Sequence, residues 1–155
     1  MSVRAFVAIG SNVGDRHRYC RQAAARLATL PRSTLLQLSP VFETAPAEGA
    51  GGGLFLNAAA EIETDLAPAA LLAELQAIEV ALGREADHVR LGPRTIDLDL
   101  LLFGGLILDS AALTIPHPRM ASRRFVLAPL AAIAPEARHP VLGCTVRELL
   151  DRVGE

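Results

Sequence analysis

One stretch of the chain leaves few conformational choices: Gly92-Pro93-Arg94-Thr95-Ile96-Asp97-Leu98-Asp99-Leu100-Leu101-Leu102-Phe103-Gly104. Successive side chains on a strand point to opposite faces, so this alternation predicts Ile96, Leu98, Leu100 and Leu102 on one face, with Asp97 and Asp99 on the other. Two carboxylates about 6 to 7 Å apart, at an effective dielectric of about 20, repel by about 2 to 3 kcal/mol, and something must offset that. Water would do so, and so would a divalent cation. Mg²⁺ takes oxygen ligands and is commonly held by one or two carboxylates together with substrate phosphates. Arg94 falls on the apolar side of an ideal strand, although Gly92-Pro93 at its mouth can redirect it. A carboxylate pair with an arginine at one end points to phosphate chemistry, while a bare Asp-x-Asp is equally the wet face of an ordinary antiparallel strand.

A chain of 155 residues is predicted to form one domain over 1–155, able to bury about two-thirds of its unfolded surface. Cys20 and Cys144 are far apart, which suits buried thiols in a reducing compartment better than a disulfide framework, so the expected location is the cytoplasm. The N-terminal apolar run is too short for a signal peptide, and no run reaches the ~20 uninterrupted apolar residues of a membrane span. Net charge is −2, which excludes the global positive field that draws proteins to nucleic acid. All 15 cationic residues are Arg. Without Lys there is no Walker-type phosphate loop and no lysine Schiff base, and any cation that grips phosphate is a planar, permanently charged fork.

The remaining chain reads as alternating elements. Residues 4–9 form a strand ending at Gly10-Ser11-Asn12, and residues 15–30 form a helix carrying Arg16, Arg18, Arg21 and Arg26 on a solvated face. Residues 34–44 are strand-like, with Pro40 marking an edge or a break. Residues 45–53 hold four glycines and read as a linker, because no strand-to-helix context supports a phosphate cradle. Residues 54–64 form another strand that puts Phe55 and Asn57 on the same side, and an aromatic face beside an amide suits a flat heterocycle. Pro68 opens a helix with a core stripe of Leu71, Leu75, Ile78 and Leu82; Gly83 ends it, and Gln76 and Glu79 share one side. Leu106-Ile107-Leu108 is expected to make a hairpin with the Asp-Leu-Asp strand. His117 stands between two prolines, where a ligand contact and a structural role are equally open. Residues 125–133 look helical although Pro129 should kink or bound them, and Thr145-Val146-Arg147-Glu148 is a capping box. The fold class is α+β, a mostly antiparallel sheet covered by helices.

The long Asp-Leu-Asp string resembles the signature of the 6-hydroxymethyl-7,8-dihydropterin pyrophosphokinases. The similarity runs from Ala8-Ile9-Gly10-Ser11-Asn12 to Arg123-Arg124-Phe125-Val126-Leu127. It passes through Glu43-Thr44-Ala45-Pro46, Phe55-Leu56-Asn57-Ala58, Ile78-Glu79-x-x-Leu82-Gly83-Arg84 and Pro116-His117-Pro118-Arg119-Met120. The resemblance implies a ferredoxin-like βαββαβ core and a monomeric enzyme that moves pyrophosphate from ATP to the pterin alcohol, releasing AMP. It also implies two Mg²⁺ ions on Asp97 and Asp99, the pterin between Phe55 and Phe125, and its edge read by Asn57 and Thr44. Gln76, Glu79, Thr114, His117 and Arg123 would line the nucleotide side, with Arg84 and Arg94 clamping phosphates. Leu91, where relatives usually carry a large aromatic, and Glu85-Ala86-Asp87, where many are basic, depart from the pattern and imply a weaker clamp over ATP. Two other readings stay open: a different metal-dependent phosphoryl or nucleotidyl transferase, and a pterin- or nucleotide-binding module without turnover.

Overall fold

The computed structural model describes residues 2–11, 15–44, 55–83 and 96–153. Among these residues seven strands and four α-helices follow in the order β1 (Val3–Ser11), α1 (Arg16–Leu27), β2 (Ser33–Leu38), β3 (Phe42–Thr44), β4 (Phe55–Thr64), α2 (Pro68–Ala81), β5 (Asp97–Phe103), β6 (Leu108–Asp109), β7 (Thr114–Ile115), α3 (Arg124–Ile133) and α4 (Val146–Val153). A 3₁₀ turn, Met120–Ser122, leads into α3. The main sheet has the order β2-β4-β1-β5, with β3 also on β4, and its ladders are antiparallel. With β2 and β3 counted as one interrupted strand, this is the βαββαβ order that the resemblance implies. The interruption has a visible cause. Pro40 cannot donate to a ladder, and buried Ser39 bridges the gap: its N–H donates 2.8 Å to Ala59 O, and the Ala59 N–H donates 2.8 Å to its Oγ.

Side-chain alternation divides the core between the two faces of the sheet. Ala5, Val7 and Ile9 of β1, with Ala58, Ala60 and Ile62 of β4, pack on Cys20, Ala23 and Leu27 of α1 and on Leu71, Leu75 and Ile78 of α2. Phe6, Ala59 and Leu101 face the other way, onto Val126, Leu127 and Leu130 of α3 and Val146 and Leu149 of α4. Burying one such Leu or Ile side chain contributes about 1.5 to 3 kcal/mol. Asp15 caps α1 by accepting the Arg18 N–H at 3.1 Å, and Gly83, at φ 115°, follows the end of α2 as the sequence predicts.

Three expectations are corrected. Leu102 does not share the face of Leu98 and Leu100. In the ladder with β1, Phe6 is opposite Leu102 but Val7 is opposite Leu100, so Leu101 is an extra, bulged residue. The phase shifts there: Leu101 and Leu102 pack with α3 and α4, and Phe103 takes the α1/α2 side. The hairpin partner of the 106–108 segment is also different. Gly104, at φ 55°, turns the chain and returns its N–H to Arg4 O at 2.8 Å. Leu108–Asp109 then pairs with Thr114–Ile115 in a separate two-stranded sheet. Pro129 neither bounds nor ends α3, which runs through it to Ile133. The glycine-rich 45–53 segment and residues 84–95 lie outside the described residues.

Candidate functional site

The register of three strands builds the floor of a pocket. Gly10 of β1 stands between Asn57 of β4 and Asp97 of β5, and Ala8 stands between Ala59 and Asp99. Strands lie about 4.8 Å apart, so Asn57 and Asp97 flank a trough about 10 Å across whose centre holds no side chain at one level and a methyl at the next. Both aspartates project from a stiff element held along its inner edge by β1. The trough is on the α3 side of the sheet. Phe125 and Val126, in the first turn of α3, and Arg123 at its N-cap complete the wall with Thr44 and Phe55.

The polar groups are placed in detail. Asn57 is only 7% exposed, and its Nδ2 donates 2.7 Å to Thr44 Oγ1; its Oδ1 lies toward Gly10, 3.5 Å from where a Cβ would stand. The Arg123 guanidinium sits 5.4 Å over the Phe125 ring centroid, a cation–π contact that sets this cation at the rim. A heterocycle in this pocket meets two aromatic side chains, an amide and hydroxyl at one end, and two carboxylates at the other.

A second pocket shares Asp99 and opens on the outer edge of β5, lined by Leu72, Leu98, Leu113, Thr114, His117 and Pro118 among others. The Ile115–Pro116 bond that precedes His117 is cis. The His117 main-chain N–H donates 2.9 Å to Leu101 O, and its ring Nδ1 accepts the Arg119 N–H at 3.1 Å. The neutral ring therefore carries its proton on Nε2. Burial lowers the His117 pKa; Asp99 opposes that shift, and the charges of Arg123 and Arg119 reinforce it.

The sequence-predicted residues thus divide. Thr44, Phe55, Asn57, Asp97, Asp99, Arg123 and Phe125 meet in the first pocket; Thr114 and His117 join Asp99 in the second. Arg123 therefore lies with the aromatic wall, and its charge also reaches His117 of the second pocket. Gln76 is exposed on α2, while Glu79 is buried and its Oε2 accepts the Leu98 N–H at 2.8 Å. Arg84, Arg94, Leu91 and the 85–87 segment lie outside the described residues. Sequence reasoning named Ala8 and Gly10 without giving them a site role, although a glycine inside a strand signals close approach of a ligand or backbone.

Asp97 and Asp99 offer oxygen donors of the kind Mg²⁺ prefers, side by side at a pocket mouth. Among the described residues no group of three His, Cys, Asp or Glu side chains converges on a metal position. The donor set thus fits a cation that completes its shell with water and with oxygens of a bound ligand.

Comparison with known proteins gives a consistent result. Residues 6–135 match the family model described as 7,8-dihydro-6-hydroxymethylpterin-pyrophosphokinase (HPPK). The 2-amino-4-hydroxy-6-hydroxymethyldihydropteridine pyrophosphokinase of Bacillus subtilis is 49% identical over 129 residues, covering 83% of this chain and 77% of that protein. Its namesake in Pseudomonas aeruginosa is 44% identical over 140 residues, covering 90% and 86%. Among solved structures, the Plasmodium falciparum HPPK-DHPS A437G protein superposes with a TM-score of 0.77 at 15% identity, over 98% of this chain. This chain spans 45% of that longer protein, and the likeness concerns the fold.

Proposed function

The chain belongs to the 7,8-dihydro-6-hydroxymethylpterin-pyrophosphokinase family, and from that premise we propose how its residues divide the work of moving pyrophosphate from ATP to the hydroxymethyl group of 6-hydroxymethyl-7,8-dihydropterin in folate biosynthesis. The pterin occupies the first pocket, between Phe55 and Phe125, with Asn57 and Thr44 on its hydrogen-bonding edge. The nucleotide enters by the second, past Thr114 and His117. Asp99 lines both pockets, and this shared carboxylate is the observation that supports the reading, because an acceptor alcohol in one pocket and a polyphosphate in the other would meet at the same acid.

The hydroxymethyl oxygen attacks the β-phosphorus, the bond between that phosphorus and the oxygen bridging to the α-phosphorus breaks, AMP leaves, and the hydroxyl proton passes to water. Such in-line displacement needs positioning and charge neutralisation more than a covalent nucleophile, and no such nucleophile is assigned. Asp97 and Asp99 would hold two Mg²⁺ ions, which would supply Lewis-acid neutralisation of phosphate charge. Arg123 adds a fixed cation at the rim. Arg84 and Arg94, outside the described residues, keep the phosphate-clamping role that the family resemblance implies. A cytoplasmic setting is supported by two buried free thiols, Cys20 and Cys144, and among the described residues no helix is long and apolar enough to cross a membrane.

Incubation with ATP, Mg²⁺ and the pterin alcohol, followed by nucleotide chromatography, tests the reading: AMP is the expected nucleotide product, and ADP or free pyrophosphate would assign a different transfer. Asp97→Ala should lower turnover by about a thousandfold or more with the thermal midpoint nearly unchanged. Activity like that of the unaltered protein in this variant would remove Asp97 from the metal set.

A further inference from the structure

Strand β5 is an edge of the main sheet, so among the described residues the backbone groups along its outer side have no strand to pair with. At Leu98, the residue between the two aspartates, the outward group is an N–H, and Glu79 Oε2 accepts it at 2.8 Å. Glu79 is 6% exposed. It is carried by α2, whose Leu71, Leu75 and Ile78 share one apolar cluster with Leu98 and Leu100. A carboxylate here takes the place of the missing strand, and a hydrogen bond to a charged acceptor is about twice as strong as one between neutral groups. Further along the same edge the His117 N–H donates to Leu101 O at 2.9 Å. The strand is thus laddered to β1 on its inner side and pinned at two points on its outer side.

We propose that Glu79 is a positioning residue, which fixes the peptide between Asp97 and Asp99 and so sets the mutual orientation of their carboxylates, in place of the direct nucleotide contact that the family resemblance implies. If the Leu98 N–H were released, the plane of the peptide linking it to Asp97 could rotate, and both acid side chains would be re-aimed. Mg²⁺ demands near-ideal octahedral geometry, so a small re-aiming costs affinity.

The experiment compares Glu79→Gln, which keeps an oxygen acceptor, with Glu79→Met, which fills the space with at most a weak one. Amide exchange is followed by ¹⁵N NMR on the ligand-free protein. The Leu98 amide should exchange slowly in the unaltered protein and in the Gln variant, and about tenfold or more faster in the Met variant, while Ala58 and Ala60 in β4 keep their protection in all three. Should the Met variant fail to fold, Glu79→Asp, one methylene short, serves the same comparison. A second readout is the Mg²⁺ concentration that half-saturates binding of a non-hydrolysable ATP analogue. It should rise about tenfold in the Met variant and little in the Gln variant. Unchanged Leu98 protection in the Met variant would overturn the proposal. So would a Gln variant that loses analogue affinity as fully as Met while Leu98 stays protected, since the carboxylate would then act on the ligand. The Mg²⁺ arm rests on the proposed function and the exchange arm does not. If Mg²⁺ has no effect on analogue binding in the unaltered protein, the functional reading fails while the pin at Leu98 stands on its own measurement.

Discussion

Gly10 shows how much a single position decides. It lies between Asn57 and Asp97 across three paired strands, and its missing side chain opens the trough there. A Cβ at this position would stand 3.5 Å from Asn57 Oδ1, an ordinary contact, so the strand can accept a side chain. Gly10→Val should therefore fold with a near-normal thermal midpoint, β-branched residues being favoured in strands. A ligand forced against the two added methyls should lose about 1 to 3 kcal/mol of binding, or tenfold and more in affinity. Calorimetry with the pterin alcohol checks this, and unchanged affinity would place the pterin elsewhere. Phe55 and Asn57 could be paired from sequence alone, because the period of a strand puts them on one side. Phe125 and Arg123 could not. They reach the pocket through a helix start nearly seventy residues further along, and only the resemblance pointed to them. Glu79 left a fainter trace: it sits one residue after Ile78 and four after Leu75, on the flank of the apolar stripe, where sequence reasoning expects an exposed side chain and misses both its burial and its partner in β5.

Among the elements, α4 tests the link from sequence to energy most directly. Its capping box forms as its spelling predicts. The Thr145 N–H donates 2.8 Å to Glu148 Oε1, and the Glu148 N–H donates 3.2 Å to Thr145 Oγ1. Thr145→Ala should cost about 1 kcal/mol of stability, measurable by urea unfolding. The Thr145 backbone N–H, then its hydroxyl, hold the Glu148 pKa below its ordinary value. A carboxyl whose folded pKa is depressed contributes stability that is complete above its unfolded value of about 4.5 and is lost as pH falls through the folded one. Glu148→Ala should accordingly flatten the stability profile below about pH 4.5 and leave it sloped as before at higher pH. The other elements were legible where one period ruled, as in α1, α2, β1 and β4. They were not where tertiary pairing overrode local pattern. Nothing in Leu100-Leu101-Leu102 announces a bulge, and Leu108 finds β7 because the turn at Gly104 directs the chain back to β1.

On the scale of the whole molecule, one sheet separates two environments. The face toward α1 and α2 holds a continuous apolar layer; the face toward α3 and α4 is apolar at one end and carries the site at the other. The C-terminal segment that closes this second face should have its own pH dependence. His139 is buried, and its Nδ1 accepts the N–H groups of Val141 at 3.3 Å and Leu142 at 3.1 Å, which requires the neutral ring. Burial lowers its pKa from 6.5, so the unfolded chain takes up the proton more readily than the folded one. The stability at stake is complete above about pH 6.5 and is lost as pH falls toward the folded value. Thermal melts between about pH 7 and 5 should show this loss, and His139→Asn should shrink it. An equal slope in that variant would assign the titration elsewhere.

The extra residue at Leu101 bears on what this protein can tolerate. Before it, β5 turns Asp97 and Asp99 toward the pocket; after it, the same strand supplies Leu102 and Phe103 to opposite layers of the interior. The bulge sets two consecutive side chains, Leu101 and Leu102, on the α3/α4 side, giving that layer one more buried leucine than plain alternation would supply. Deleting Leu101 should leave Leu102 and Phe103 on the faces they now take and empty one leucine's space beneath α3 and α4.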